Sequence, residues 1–154
     1  MLNQAYTYYR AVSYGRMNLS YTVFDTVQTM ASDMATYTAS QAALKGLVLE
    51  AVARFDTYVD YRNFDAVVVF HAGTAWQLTG AAGDVPAQFL NDVTAYNGAD
   101  GVADTVTHAV IMAAFGRVQP TSGETVTMRG TFCHEFGHAL GLPDLYSAGT
   151  GGTG

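Results

Sequence analysis

The sequence predicts an α/β domain in which a mixed, mainly parallel and twisted sheet packs against helices. Apolar side chains in residues 44–59 form one helical stripe. Residues 65–70 are a continuous, largely β-branched run, typical of a strand buried on both faces of a parallel sheet. The chain has 154 residues, of which 49% are hydrophobic, as expected for one domain with a substantial core. We therefore treat residues 1–154 as a single domain.

The first elements are predicted from their periodicity. Residues 2–13 repeat apolar side chains every three to four positions, which predicts a short amphipathic helix that Gly15 ends. Residues 17–23 alternate apolar and polar side chains, which predicts a strand with one solvent-facing side. The helix over residues 44–59 follows, with Ser40 as its N-cap. A strand, this helix and then the buried strand predict a βαβ unit.

The second half of the chain is less periodic. Residues 73–106 are rich in Gly, Ala, Asp and Asn, and we interpret them as a long loop. Residues 108–115 are apolar and strand-like, and at the edge of the sheet they could pair with an extended peptide. Residues 116–123 break this pattern. A final helix is predicted over about residues 125–140, and the capping-box spacing at 121–124 could start it earlier.

Composition excludes several classes of protein. Seven scattered Lys and Arg residues against 13 Asp and Glu give a net charge of −6, which excludes a basic face for nucleic acid. No apolar run approaches the ~20 residues needed to span a membrane. The lone Cys133 cannot form an intrachain disulfide, and the first residues lack the pattern of a secretory signal. The sequence carries no signal for an oligomeric state.

Two histidines in the last predicted helix point to a metal site. His134 and His138 are four residues apart, so on a helix they are rotated by only ~40° and separated by ~6 Å along one face. Neutral imidazoles are good Zn²⁺ ligands, and a catalytic zinc site needs three protein ligands and one open position. A third ligand must therefore come from elsewhere in the chain.

The residues after the second histidine offer two candidates for this ligand, Asp144 and, more weakly, Tyr146. No glutamate follows Glu135. Gly141 can end the helix in a left-handed conformation, and Pro143 prevents its continuation, so the chain can turn back towards the metal. Asp144 is then the natural third ligand, in the pattern His-Glu-x-x-His-x-x-Gly-x-x-Asp.

Glu135 has the properties of a general base. One residue's rotation turns it ~100° away from its neighbours, so it is a poor ligand beside them. Its carboxylate can still take a proton from a water molecule that zinc activates for attack on a peptide carbonyl, and can return that proton to the leaving amine. Tyr146 is a candidate hydrogen-bond donor to the developing oxyanion.

The segment HEFGHALGLPDLY, residues 134–146, resembles the zinc signature of immune inhibitor A-type bacterial metallopeptidases. Residues 8–21 and 65–73 resemble the first helix-strand unit and the inner strand of that family. The resemblance implies a zincin with a metzincin-like fold. It also implies a secreted zinc endopeptidase that acts on proteins or peptides, often with Ca²⁺ for stability.

The same resemblance implies a C-terminal subdomain with a methionine-containing turn below the metal. No methionine follows Met128, so we expect this subdomain to be missing and the chain to be truncated after the zinc motif. The alternative hypothesis is therefore a catalytically silent zinc-binding or peptide-binding fragment of such a peptidase. A purely structural domain without metal ranks last.

The remaining polar residues have weaker claims to function. His71 and His108 are interpreted as a structural and a solvent-facing residue, and Cys133 as a buried small side chain. Oxygen ligands for Ca²⁺ are available but lack a recognised loop spacing. These are Asp84, Asn91, Asp92, Asn97, Asp100 and Asp104.

Overall fold

The computed structural model describes residues 1–91, 93, 95–97, 103–118 and 125–144. Its helices are α1 (Leu2–Val12), α2 (Met34–Tyr37), α3 (Gln41–Phe55), α4 (Trp76–Thr79) and α5 (Arg129–Ala139). Its strands are β1 (Val67–His71), β2 (Gln88–Leu90), β3 (Ala95–Asn97), β4 (Ala103–Thr105), β5 (Ala109–Ala113), β6 (Arg117–Val118) and β7 (Thr125–Val126). In the parts of the chain that are described, none of the helices has the length and apolarity needed to cross a membrane.

Three strands form the main sheet, in the order β1-β5-β2. β1 runs parallel to β5, with Val67 opposite Ala109, and β2 runs antiparallel to it, with Phe89 opposite Val110. The pairs β3–β4 and β6–β7 form two small antiparallel sheets. The α/β class and the mixed sheet are therefore confirmed. The expectation of a mainly parallel sheet is wrong for the described strands, because β5 has one parallel and one antiparallel neighbour.

Helices cover both faces of this sheet. All five residues of β5 are buried, and the first four alternate between two apolar clusters. Ala109 and Ile111 belong to the α3 cluster, which includes Leu44, Leu47, Val48 and Val52. Val110 and Met112 belong to the α5 cluster, which includes Ala5, Tyr9, Met128 and Phe132. The final helix is thus fixed against the sheet through buried contacts with the central strand and with α1.

Three predicted elements are confirmed. The first helix is α1, and the chain leaves it through Gly15, whose φ of +76° is in the left-handed region. The long helix is α3, where the Ser40 side chain accepts a hydrogen bond from the N–H of Ala43 as its N-cap. The apolar run at residues 108–115 contains β5.

The predicted strand at residues 17–23 is wrong, and so is the βαβ unit that depended on it. Met17 and Leu19 do pack against the α5 cluster, which accounts for the first half of the alternating pattern, whereas Tyr21 and Val23 are exposed. The segment lies along α1 instead of a strand: the Ser13 hydroxyl accepts a hydrogen bond from the Met17 N–H, and the Tyr21 hydroxyl donates to Asn3. An alternation of apolar and polar side chains is therefore not sufficient for a strand, because a strand also needs a hydrogen-bonded neighbour.

The positions of the other strands also differ from expectation. β1 lies at an edge of the described sheet, and Phe70 is 41% exposed, so residues 65–70 are not buried on both faces. Residues 73–106 are not one long loop, since they contain α4, β2, β3 and β4. β5 has neighbours on both sides, so residues 108–115 offer no edge to a peptide. The opposite edge of the described sheet is β2.

The final helix begins at Arg129, later than the predicted 125, because residues 125 and 126 form β7. The backbone of β7 lies against Gly116: a Cβ atom added to that glycine would be 2.0 Å from the Val126 carbonyl oxygen. The proposed capping box at 121–124 lies outside the described residues. α5 therefore follows closely after a strand that pairs with β6 and lies against Gly116.

Candidate metal centre

The end of α5 brings three potential ligands together. His134 and His138 lie on one face of the helix, with their Nε2 atoms 3.3 Å apart. Gly141 adopts φ +83° and its N–H donates to the His138 carbonyl, while the Leu142 N–H donates to the Gly137 carbonyl. These are the two hydrogen bonds of a Schellman motif, which reverses the chain at a helix end.

This reversal places Asp144 against both rings. Its Oδ1 atom is 3.2 Å from the Nε2 of His134 and 3.3 Å from the Nε2 of His138. A tetrahedral ion bound at about 2.0–2.1 Å holds its ligand atoms roughly 3.3 Å apart. The three atoms therefore have the mutual spacing of three ligands of one small metal ion. In the parts of the chain that are described, they form the one His, Cys, Asp and Glu cluster that could hold a metal.

Hydrogen bonding orients one of these ligands. The Nδ1 of His138 lies 2.8 Å from the Leu142 carbonyl oxygen, so an Nδ1–H donor there leaves Nε2 as the coordinating atom. Asp144 and His134 have side chains that are 46% and 40% exposed, compared with 20% for His138. The cluster is accordingly open to solvent and to a ligand on one side.

Glu135 lies outside the triangle, as the helix geometry predicts. Its Oε2 atom accepts a hydrogen bond of 2.8 Å from the backbone N–H of Phe89 in β2. Burial raises the pKa of the Glu135 carboxyl above its usual value, and the hydrogen bond from Phe89 acts in the opposite direction. A carboxyl with a raised pKa is a stronger base when ionised. This side chain is thus held beside the ligand cluster by the edge of the sheet.

Phe89 is a site residue that the sequence interpretation missed. Besides its N–H contact with Glu135, its ring lies 6.0 Å from the ring of His138 and stacks on that of His108 at 5.7 Å. The interpretation of residues 73–106 as a loop includes this residue. Val85, Ala87 and Phe89 alternate with less apolar neighbours, and this short period-2 pattern is the signal that could have identified the strand.

The other histidines lie outside the ligand cluster. His71 ends β1, where its Nδ1 lies 3.1 Å from the Ala72 carbonyl oxygen. Its Nε2 is buried and has no hydrogen-bond partner among the residues described. His108 precedes β5, and its Nδ1 lies 3.0 Å from the Thr107 hydroxyl. Neither side chain is placed to complete the triangle.

The region around Cys133 connects α5 to α1. Cys133 is a half-buried free thiol, and burial raises its pKa. Its carbonyl oxygen accepts a hydrogen bond from the Tyr9 hydroxyl. Between the two helices runs a largely apolar groove of about 790 Å³, which both candidate histidine ligands border. The ligand cluster therefore lies between this groove and β2.

Two expectations have no support in the described structure. Tyr146, the candidate oxyanion donor, lies outside the described residues, as do Asp92 and Asp100. Asp84 accepts a hydrogen bond from the Thr79 hydroxyl and belongs to no metal-binding group. A Ca²⁺ site is accordingly unsupported.

Comparison with protein families agrees with this geometry. The model of the immune inhibitor A peptidase M6 catalytic domain matches residues 3–154. The chain belongs to this family. The resemblance seen in the sequence is therefore confirmed, and membership of the M6 family supports a peptidase that acts on protein or peptide substrates. Peptidases of this family are metallopeptidases, consistent with the ligand triangle. The comparisons with curated proteins and with solved structures gave no match.

Proposed function

We propose that this chain is the catalytic domain of a zinc-dependent endopeptidase with a metzincin-like fold. His134, His138 and Asp144 hold the zinc ion, and Glu135 is the general base. The observation that carries the proposal is the spacing of 3.2–3.3 Å among the two Nε2 atoms and the Oδ1 atom. Two imidazoles and one carboxylate are also a donor set that zinc accepts, with a fourth position left for water.

Bound zinc would lower the pKa of a water molecule and polarise the peptide carbonyl. Glu135 contributes the proton transfers. Because the Phe89 N–H holds Oε2 before a substrate binds, Oε1 is the oxygen left free, and we assign the uptake of the water proton to it. The raised pKa of this carboxyl favours that uptake, and the same atom returns the proton to the leaving amine.

An extended substrate fits beside β2 in this proposal. The N–H of Phe89 points towards α5, because it meets Glu135 there. An exposed strand edge can add a peptide as a further strand, through main-chain hydrogen bonds. A peptide paired with β2 would take over the Phe89 N–H from Glu135, which brings its carbonyl groups close to the released Glu135 carboxylate.

Metal content and hydrolysis of a denatured protein test the proposal together. The wild type, His138→Ala and Glu135→Gln are purified without added metal, analysed by mass spectrometry and assayed with casein. We expect about one zinc ion per chain in the wild type and in Glu135→Gln, and loss of zinc in His138→Ala. Cleavage should fall by roughly 10²- to 10⁴-fold in Glu135→Gln, which retains an oxygen to accept the Phe89 hydrogen bond.

Each alternative has its own outcome. Zinc binding without cleavage by the wild type would favour the catalytically silent, zinc-binding module. Absence of zinc from the wild type, even after reconstitution, would overturn the proposal. Thermal unfolding separates misfolding from loss of ligands, because zinc should raise the melting temperature of the wild type and not that of His138→Ala.

A further inference from the structure

The residue just before β2 carries a second side-chain contact at the same outer edge, and the proposed chemistry does not use it. The Nε2 of Gln77 donates a hydrogen bond of 2.6 Å to the Ala87 carbonyl, and the Ala87 N–H donates one of 2.8 Å to the Gln77 Oε1. One carboxamide thus binds both main-chain groups of one residue. This is the pair of bonds that a residue of a neighbouring antiparallel strand would make.

The fold holds Gln77 in this position. It lies in α4, which ends in a left-handed turn at Gly80, and the Trp76 N–H donates a hydrogen bond of 3.3 Å to the Val85 carbonyl. Ala87 itself is 2% exposed, and its two bonds with the carboxamide of the exposed Gln77 are partly buried. Helix α4 therefore covers the edge of the chain just before β2 begins.

Ala87 and Phe89 face the same side, because residues two apart on a strand share an edge. Their contacts differ in kind. Glu135 binds the N–H of Phe89 through one hydrogen bond, whereas Gln77 binds both the N–H and the carbonyl of Ala87. A peptide that displaced Gln77 would gain no net main-chain hydrogen bonds, since it would replace two bonds with two bonds. Pairing beyond Phe89 in that direction is therefore unfavourable.

We propose that Gln77 is a specificity-determining residue that ends substrate pairing along β2, and so limits the length of extended peptide that the cleft holds on one side. The inference rests on the proposed function, in which the substrate pairs with this edge. It assigns to Gln77 no contact with the reacting atoms. Its side chain occupies the place that the next substrate residues would otherwise take.

The test measures binding as a function of peptide length. Fluorescein-labelled peptides of alternating Thr and Ala, four to ten residues long, are titrated into Glu135→Gln protein, which leaves them uncleaved. We expect affinity to stop rising at one length, and to continue rising for about two more residues when Gln77→Ala is added. The gain for the longer peptides should be roughly 5- to 30-fold, from one or two further main-chain hydrogen bonds.

Two variants control this result. Gln77→Glu keeps an oxygen for the Ala87 N–H but loses the donor to its carbonyl, so its gain should be smaller and confined to the longer peptides. Gln41→Ala, at the exposed start of α3, removes a glutamine from another element and should leave the length dependence unchanged. A role in stability alone would weaken the binding of all lengths equally. Hydrogen exchange of the Ala87 amide should accelerate in Gln77→Ala, which would show that the hydrogen bonds from the carboxamide have been lost.

The same length limit in Gln77→Ala, with faster exchange at Ala87, would overturn the inference. So would the absence of binding at every length. Failure of the proposed function gives a different result, in which wild-type protein cleaves nothing although the length limit still shifts in Gln77→Ala. The Gln77→Glu arm decides the question if Gln77→Ala fails to fold.

Discussion

Asp144 supplies the only carboxylate of the proposed ligand set, and it is held there by the turn at the end of α5. Asp144→Asn keeps the shape of the side chain but removes its negative charge. We expect zinc affinity to fall by at least about 10²-fold, measured by competition with a chelating dye. Asp84→Asn, which changes a carboxylate outside the cluster, is the matched control and should bind zinc like the wild type. Equal affinities of both variants would remove Asp144 from the ligand set.

His71 makes stability depend on pH. Burial lowers the pKa of its imidazole, although the Ala72 carbonyl and Asp84 act in the opposite direction. The folded protein thus keeps the ring neutral at pH values where the unfolded chain, with a histidine pKa near ~6.5, already binds a proton. Above the unfolded pKa the ring is neutral in both states, and its protonation does not reduce the free energy of unfolding. As the pH falls from the unfolded pKa towards the folded one, the unfolded chain binds a proton that the folded protein does not, so the free energy of unfolding falls.

Urea unfolding at pH 7.5 and pH 5.5 measures this dependence. We expect the wild type to lose more unfolding free energy between the two values than His71→Asn, which has no imidazole to protonate. Both proteins retain His134 and His138, so the difference between their losses isolates His71. The same loss in both would assign the acid sensitivity to other groups.

The cluster of three candidate ligands can be predicted from the sequence because the information that brings them together is local. The two histidines lie four positions apart on one helix, and Gly141 and Pro143 mark the turn that returns Asp144. The contact between Glu135 and Phe89 joins residues 46 positions apart, and it depends on which strand lies at the edge. No local pattern specifies that edge. For the same reason, no local sequence pattern indicates the role that we propose for Gln77.

At the scale of elements, the close approach of β7 to the start of β6 depends on one glycine. An added Cβ at Gly116 would meet the Val126 carbonyl oxygen at 2.0 Å, a backbone atom that cannot rotate away. We expect Gly116→Ala to displace β7 and the start of α5, and to lower the unfolding free energy by about 1–3 kcal/mol. Gly46→Ala is the matched control.

Gly46 lies within α3, and an added Cβ there meets nothing within 4 Å. Alanine should therefore raise the unfolding free energy by about 0.5–1 kcal/mol, through its better helix propensity. Denaturant unfolding of both variants, together with zinc affinity, checks the pair. If Gly116→Ala has the same unfolding free energy and the same zinc affinity as the wild type, the backbone around Gly116 and Val126 can move apart without cost.

An element can be predicted from the sequence when its own residues specify it. α3 is specified by its own apolar stripe and by its N-cap at Ser40, so its start needed no knowledge of the rest of the fold. In the alternation at residues 17–23, Met17 and Leu19 pack on the α5 cluster without a partner strand, and the later apolar residues are exposed. The three-residue strand β2 is marked only by a short period-2 pattern, which does not show that the strand lies at the edge of the sheet. The formation of a strand depends on the strands beside it, and the local sequence does not identify those strands.

For the whole molecule, the central strand separates two cores with different consequences for function. Ile111 and Met112 are both fully buried, and they face the α3 cluster and the α5 cluster respectively. Truncation of either to alanine should cost about 2–5 kcal/mol of unfolding free energy. We expect only Met112→Ala to weaken zinc binding, because only its cluster contains residues of α5.

Comparison of zinc affinities under conditions where both variants are folded tests this asymmetry. Circular dichroism at the working temperature identifies those conditions. Equal weakening of zinc binding in both variants would show that the two faces of the sheet act as one unit. Weakening in Ile111→Ala alone would contradict the assignment of α5 to the second cluster.

The hydrogen bond from the Tyr9 hydroxyl to the Cys133 carbonyl joins positions 124 residues apart. Tyr9 also packs against Phe136, so the first helix supports the helix that carries both histidines. Closing so long a segment carries a large entropic cost and slows the formation of such contacts. During synthesis α1 leaves the ribosome long before its partner exists. The candidate metal centre should consequently form late in folding, after the central strand is in place. Under the proposed function, an immature chain would therefore have little capacity to cleave its neighbours.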